Sequence, residues 1–359
     1  MQLRVACGLA LLAAGCSSGA PAPTPESLGA LLFADPSLSE PPGQACADCH
    51  ALDRAFTDPE SDRATSAGAV AGRFGSRNSP TAMYASYVPP LALDADTQRW
   101  RGGLFWDGRA DTLEEQAKKP LLNPLEMNNA DAASVVAKVR SAPYAASFRA
   151  LWGTAALDDP DAGFAHVVQA IAAYERSATF APFSSKYDRQ LAGAATLTDA
   201  EQRGLAIFSD PARGNCASCH PPPLFTNFAY VNLGVPKYAN NPFYRLPPPL
   251  NPDGAAYVDH GLMATVGDPA EDGRFRVPTL RNVAVTGPYA HNGYFENLEY
   301  VIDFHNTRDV GSPDVGAWPA PEVAATVERG SVGDLGLSAA DVLDLVAFLG
   351  TLTDDASSR

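Results

Sequence analysis

Cys46-Ala-Asp-Cys49-His50 and Cys216-Ala-Ser-Cys219-His220 constrain this 359-residue chain more than anything else in it. Each reads C-x-x-C-H, the pattern in which two thiols bond a porphyrin edge and the adjacent His holds the iron from one side. The competing meanings are a zinc half-site and a redox C-x-x-C. Zinc would want a second Cys or His pair close by, and none follows either motif. With only six Cys and six His in the chain, two full matches point to two covalently bound haem c groups. Cys46, Cys49, Cys216 and Cys219 are the attachment residues, and His50 and His220 the proximal iron ligands.

The motifs sit in a repeat. Gly29-Ala-Leu-Leu-Phe-Ala-Asp-Pro36 precedes the first and Gly204-Leu-Ala-Ile-Phe-Ser-Asp-Pro211 the second. Phe56-Thr57-Asp58 and Phe225-Thr226-Asn227 follow them. A duplicated haem domain explains this better than one domain with two unrelated sites. The expected fold is mostly α, with two loop-rich cytochrome c-like domains packed around an interdomain site. The boundary falls near 193–198, before a capping-box start at Thr198-Asp-Ala-Glu201, giving domains at 26–195 and 196–359. Apolar stripes mark helices through Phe164, Val167, Val168, Ile171 and Tyr174, through Leu298, Val301 and Ile302, and through Val342 to Leu349. No set of alternating strands is evident, and 29 Gly and 31 Pro support a loop-rich chain.

The N-terminus reads as an export leader. Residues 1–15 carry Arg4 and then a short apolar run, too short to span a bilayer. Leu12-Ala13-Ala14-Gly15-Cys16 resembles a bacterial lipobox, although Leu12 stands one place too far from Cys16. Cys16 is therefore the expected lipidation site, and 16–25 a Pro-rich tether. The expected location is periplasmic, with membrane contact only through a lipid anchor. The formal charge of −15 argues against a nucleic-acid partner, because phosphates would be repelled.

The second axial position of each iron separates electron transfer from chemistry, since a closed iron cannot bind peroxide. Four His remain: His166, His260, His291 and His305. His305 continues the Leu298, Val301, Ile302 stripe at i+7, so it faces a core. It is the best second ligand for the His220 haem, with Met263 as competitor. His166 reads as a surface residue, His260 as a loop residue, and His291 as a turn residue near a propionate. Around the first haem only Met83 and Met127 are available, so that iron reads as open.

Further stretches resemble the bacterial di-haem cytochrome c peroxidase and MauG superfamily. They are Arg77-Asn-Ser-Pro-Thr81, Phe105-Trp-Asp-Gly-Arg-Ala110, Leu113-Glu-Glu-Gln-Ala117, Pro120-Leu-Leu-Asn-Pro-Leu-Glu-Met127, Ala170-Ile-Ala-Ala-Tyr-Glu-Arg176, Phe275-Arg-Val-Pro-Thr-Leu-Arg-Asn-Val283 and Thr286-Gly-Pro-Tyr-Ala-His-Asn-Gly293. The resemblance implies that Trp106 couples the haems and that Glu126 moves a proton between peroxide oxygens. It implies that Gln116 and Pro120 line the same pocket. It implies that Asn78, Thr286 and Pro288 hold one Ca2+ between the domains. Peroxidases of the family carry a His in the loop after the first motif, whereas 61–77 here contains none. The second haem usually has Met, or Tyr in MauG-like enzymes, where this chain aligns His305. That combination resembles MbnH, which oxidises a tryptophan on its partner MbnP. The expectation is an H2O2-dependent oxidase that forms a bis-Fe(IV) state and attacks Trp or Tyr on a periplasmic protein. Its rivals are a peroxide detoxifier fed by a small cytochrome or copper protein, and a non-catalytic electron carrier.

Overall fold

The computed structural model describes residues 21–60 and 63–355. The leader, Cys16 and the start of the tether lie outside the described residues. Helices in the first half are α1 (Pro25–Phe33), α2 (Cys46–Cys49), α3 (Leu113–Leu122), α4 (Ala132–Ser141), α5 (Ala145–Trp152) and α6 (Pro160–Glu175). Then follow α7 (Lys186–Leu191), α8 (Asp199–Ser209), α9 (Met263–Val266), α10 (Leu298–Thr307) and α11 (Ala339–Gly350). Strands among the described residues are confined to two antiparallel ribbons. They are β1 (Ala92–Leu93) with β2 (Trp100–Arg101), and β3 (Tyr230–Val231) with β4 (Phe275–Arg276).

Helix starts follow local chemistry. Thr24, Thr198 and Ser338 accept from the backbone N–H three residues on and complete capping boxes ahead of α1, α8 and α11. Asp159 caps α6, whose first residue is Pro160.

Two helix pairs anchor the halves. α1 crosses α6, and α8 crosses α11, each through a glycine. A Cβ on Gly29 would lie 1.9 Å from Ala170 O, and one on Gly204 would lie 2.0 Å from Asp344 O. Only glycine permits backbones that close. Leu28, Leu32, Phe33, Phe56, Val167, Ile171 and Phe180 build one buried cluster. Ile207, Phe208, Phe225, Leu345 and Phe348 build another. The repeat seen in the sequence is thus a repeat of packing, with Phe33 and Phe208 on equivalent helices facing Phe56 and Phe225.

Candidate active site

The loops after the two motifs repeat atom for atom. His50 Nδ1 lies 2.9 Å from Phe56 O, and His220 Nδ1 lies 2.9 Å from Phe225 O. A carbonyl only accepts, so Nδ1 carries the hydrogen and Nε2 is left bare as a metal ligand. Phe56 and Phe225 reach these positions with φ of 54° and 52°. Thr57 then donates to Ser79 O and Thr226 to Val277 O, both at 2.7 Å. Thr81 donates to Ala55 O at 2.5 Å, and Thr279 to Leu224 O at 2.6 Å. The Ser-Pro-Thr81 and Val-Pro-Thr279 segments therefore brace each proximal loop. This second half of the repeat is visible in the sequence as Pro-Thr, but it is too short to weigh without the contacts.

The motif cysteines are unpaired thiols on one turn of chain. Burial pushes Cys46, Cys49 and Cys216 up to about 12. Protonated thiols are poor partners in thiol exchange. They do suit thioether bonds to a porphyrin edge.

In the second half Cys216, Cys219, His220 and His305 share one mostly apolar cavity. His305 sits on α10 with Nδ1 2.7 Å from Val301 O, so its Nε2 is also bare. Burial holds His220 down to about 4 against the Phe225 carbonyl, and the nearby His305 imidazole adds to the effect. Burial likewise lowers His305. Two neutral imidazoles in an apolar slot fit an iron porphyrin between them. Met263 begins α9 and does not line this cavity.

In the first half Gln116, Pro120 and Glu126 come from α3 and the turn after it. Pro120 lies inside α3 and cannot donate to the carbonyl of Gln116 one turn earlier. Asn123 caps the C-terminus of α3; its side chain accepts from Leu125 N at 3.0 Å and its carbonyl accepts from Glu126 N at 3.0 Å. The turn brings Glu126 Oε1 to 2.7 Å from Asn123 Nδ2. Burial raises the Glu126 carboxyl, while Arg109 and the Asn123 amide pull the other way. Its charge also acts on Cys49 of the first motif. The His-free loop lies over this turn: Ala69 N donates to Glu126 O at 2.8 Å, and Arg73 binds Pro124 O and Asn128 Oδ1 at 2.9 Å. Met83 points elsewhere, with its sulfur 3.3 Å from Asn282 Nδ2. Met127 is buried in the first core.

Trp106 lies in the wall of the second cavity, with Nε1 2.9 Å from Asn78 O. Asn78, Thr286 and Pro288 line that wall too. No amide donates to the carbonyls of Thr286 or Pro288 among the described residues, which leaves both oxygens available to a hard cation. Arg77 braces the wall with a two-pronged contact to Asp259 at 2.6 and 2.7 Å and a contact to Asp107 at 2.7 Å. His291 stacks on Phe275 at 3.6 Å and is 5% exposed. His166 is half-buried rather than solvated, because it stacks on Trp152 at 4.7 Å. His260 is the exposed partner of Asp272. Tyr84 gave no signal in the sequence, and Glu175 and Arg281 stood only inside stretches of family resemblance with no role assigned, although each is buried in the structure.

A family model described as di-haem cytochrome c peroxidase matches residues 23–196. The methylamine utilization protein MauG of Paracoccus denitrificans is 44% identical over 350 residues, spanning 91% of this chain and 88% of that protein. The structure of the diheme peroxidase BthA from Burkholderia thailandensis superposes with a TM-score of 0.81 at 36% identity, over 94% of this chain and 87% of BthA. A MauG-like protein associated with microbial copper homeostasis superposes with a TM-score of 0.71 at 32% identity, over 93% of this chain and 91% of that one. Twin haem-binding loops, a mostly helical scaffold and full-length similarity converge: the chain belongs to the di-haem cytochrome c peroxidase/MauG family of oxidoreductases, which use two haem c groups.

Proposed function

We propose that the chain is a periplasmic, peroxide-driven di-haem oxidase whose target is a Trp or Tyr side chain on a partner protein, as in MbnH-type members of the family. The observation that carries this reading is the inequality of the two sites. His220 has a second imidazole, His305, in its cavity. The loop over the first site offers no His and is clamped instead to the turn that bears Glu126.

The bound haems supply iron that takes up peroxide and exchanges electrons. The chain's residues do the rest. His50 would hold the iron of the first haem. Glu126, whose carboxyl burial raises, would move a proton between the two peroxide oxygens. Asn123 fixes its direction. Gln116 and Pro120 shape the pocket and limit water. Trp106, in the wall of the second cavity, would couple the two sites electronically. His220 and His305, which share one cavity, would both hold the second haem, which would store and pass electrons. One Ca2+ on Asn78, Thr286 and Pro288 stiffens the seam. The chain reaches its partner from the membrane surface through lipidated Cys16. No helix among the described residues is long and apolar enough to cross a membrane.

The test is to add peroxide to the all-ferric holoprotein without reductant. Haem absorbance changes at once if the first iron is open. No change until one electron is supplied, followed by steady turnover with a reduced donor protein, overturns the reading in favour of peroxide detoxification. In His305→Ala the low-spin ferric haem becomes high-spin; an unchanged spectrum removes His305 from the iron.

A further inference from the structure

Tyr84 stands where the repeat places Asn282. Each lies three residues after its bracing threonine, and each has a left-handed backbone, with φ of 61° and 64°. Asn tolerates that conformation, whereas a bulky Tyr does not adopt it without compensation. The compensation is a set of contacts across the seam between the halves. The Tyr84 hydroxyl donates to Asp354 Oδ2 at 2.7 Å and accepts from Phe183 N at 3.2 Å. Asp354 also accepts from Asn282 Nδ2 at 2.8 Å and Ser184 N at 2.9 Å. The Arg281 guanidinium lies over the Tyr84 ring at 4.9 Å and the Phe183 ring at 4.4 Å.

Two facts go beyond a structural pin. Tyr84 is 2% exposed, yet it lines the cavity of Cys216, Cys219 and His220 together with Trp106. From there an aromatic path runs outward. Phe183 meets Tyr84 at 4.9 Å and Tyr87 at 5.6 Å, the two tyrosine rings are 6.4 Å apart, and Tyr87 is 47% exposed. A phenol that already donates to a carboxylate can lose an electron and a proton together, which avoids a buried charged radical.

We propose that Tyr84 and Tyr87 carry an oxidising equivalent from the haem cavity to the surface, with Asp354 as the proton acceptor for Tyr84. This rests on the peroxide-driven reading above. In the first step one electron passes from Tyr84 to the peroxide-oxidised haem pair. The phenolic proton moves to Asp354, leaving a neutral phenoxyl radical and a protonated carboxyl. In the second step Tyr87 gives one electron to Tyr84, Asp354 returns the proton, and Tyr87 releases its own proton to water. The partner's side chain then reduces Tyr87, which regains a proton from water. Trp106 serves sharing between the haems; Tyr84 and Tyr87 serve delivery.

The experiment is rapid-freeze electron paramagnetic resonance on the full-length holoprotein labelled with ring-deuterated tyrosine, after peroxide addition, with haem absorbance followed in parallel. The expected result is a radical signal that the label narrows. Tyr84→Phe, which keeps the ring, loses it. Tyr87→Phe, at an exposed site where folding is not at stake, keeps the signal and lengthens its life. A purely structural Tyr84 would lower the melting temperature of Tyr84→Phe and leave the radical's lifetime in Tyr87→Phe equal to the parent's, which overturns the route. Haem oxidation with no tyrosyl signal overturns the route and leaves the peroxide reading intact. Absence of any haem change overturns both.

Discussion

Glu175 shows how much a single side chain can hide. It ends α6 at 7% exposure, with one carboxylate oxygen lacking a hydrogen-bond partner and its charge felt at Cys46. Arg176 next door pairs instead with Glu114, at 2.7 and 2.8 Å. Burial pushes the Glu175 carboxyl up to about 8, so the folded protein keeps a proton there that the unfolded chain loses near 4.5. A raised carboxyl favours the folded state below the unfolded value and loses that advantage as pH rises through the folded one. Glu175→Gln is therefore expected to match the parent in stability near pH 4.5 and to exceed it by up to about 4 kcal/mol at pH 9. Denaturant titrations at both pH values check this, and a pH-independent difference would refute it. The sequence hides the effect because adjacent Glu and Arg do not reveal that Arg176 turns to Glu114 and leaves Glu175 buried. The motif Cys and His were legible because their chemistry is local. Glu126 was legible only through its resemblance to the family, since its enclosure depends on the distant loop that holds Arg73.

At the scale of elements, the sequence revealed half of each crossing. The Gly-Ala-Leu-Leu-Phe and Gly-Leu-Ala-Ile-Phe segments announced α1 and α8, and apolar stripes announced α6 and α11. Their pairing was not legible, because Ala170 and Asp344, the backbones against which the glycines close, share no sequence pattern. The short braces from Thr57, Thr81, Thr226 and Thr279 were hidden for a similar reason: their acceptors are carbonyls, which any residue supplies. Gly29→Ala and Gly204→Ala should each cost about 3 kcal/mol, because the added Cβ meets backbone rather than a side chain that can swing away. Thermal melts of the holoprotein check this. A melting temperature unchanged in both would mean that the helices can slide apart freely.

At the scale of the molecule, the two halves meet through a buried charge. Arg281 is 1% exposed and binds Asp188 at 2.8 and 2.9 Å from the loop that follows the second brace. Asp188 also closes the capping box of α7, the helix that leads from one half to the other. Removing the cation strands the carboxylate, so Arg281→Met should destabilise by about 3 kcal/mol, read as a lower urea midpoint. An unchanged midpoint would mean the seam does not depend on this pair. The same molecule backs His50, His220 and His305 with the backbone carbonyls of Phe56, Phe225 and Val301, never with a carboxylate. A carboxylate behind an imidazole makes it a stronger donor and pushes electron density onto the metal. An amide oxygen pushes less. Any metal these three imidazoles held would therefore receive less electron density than one held by carboxylate-backed imidazoles.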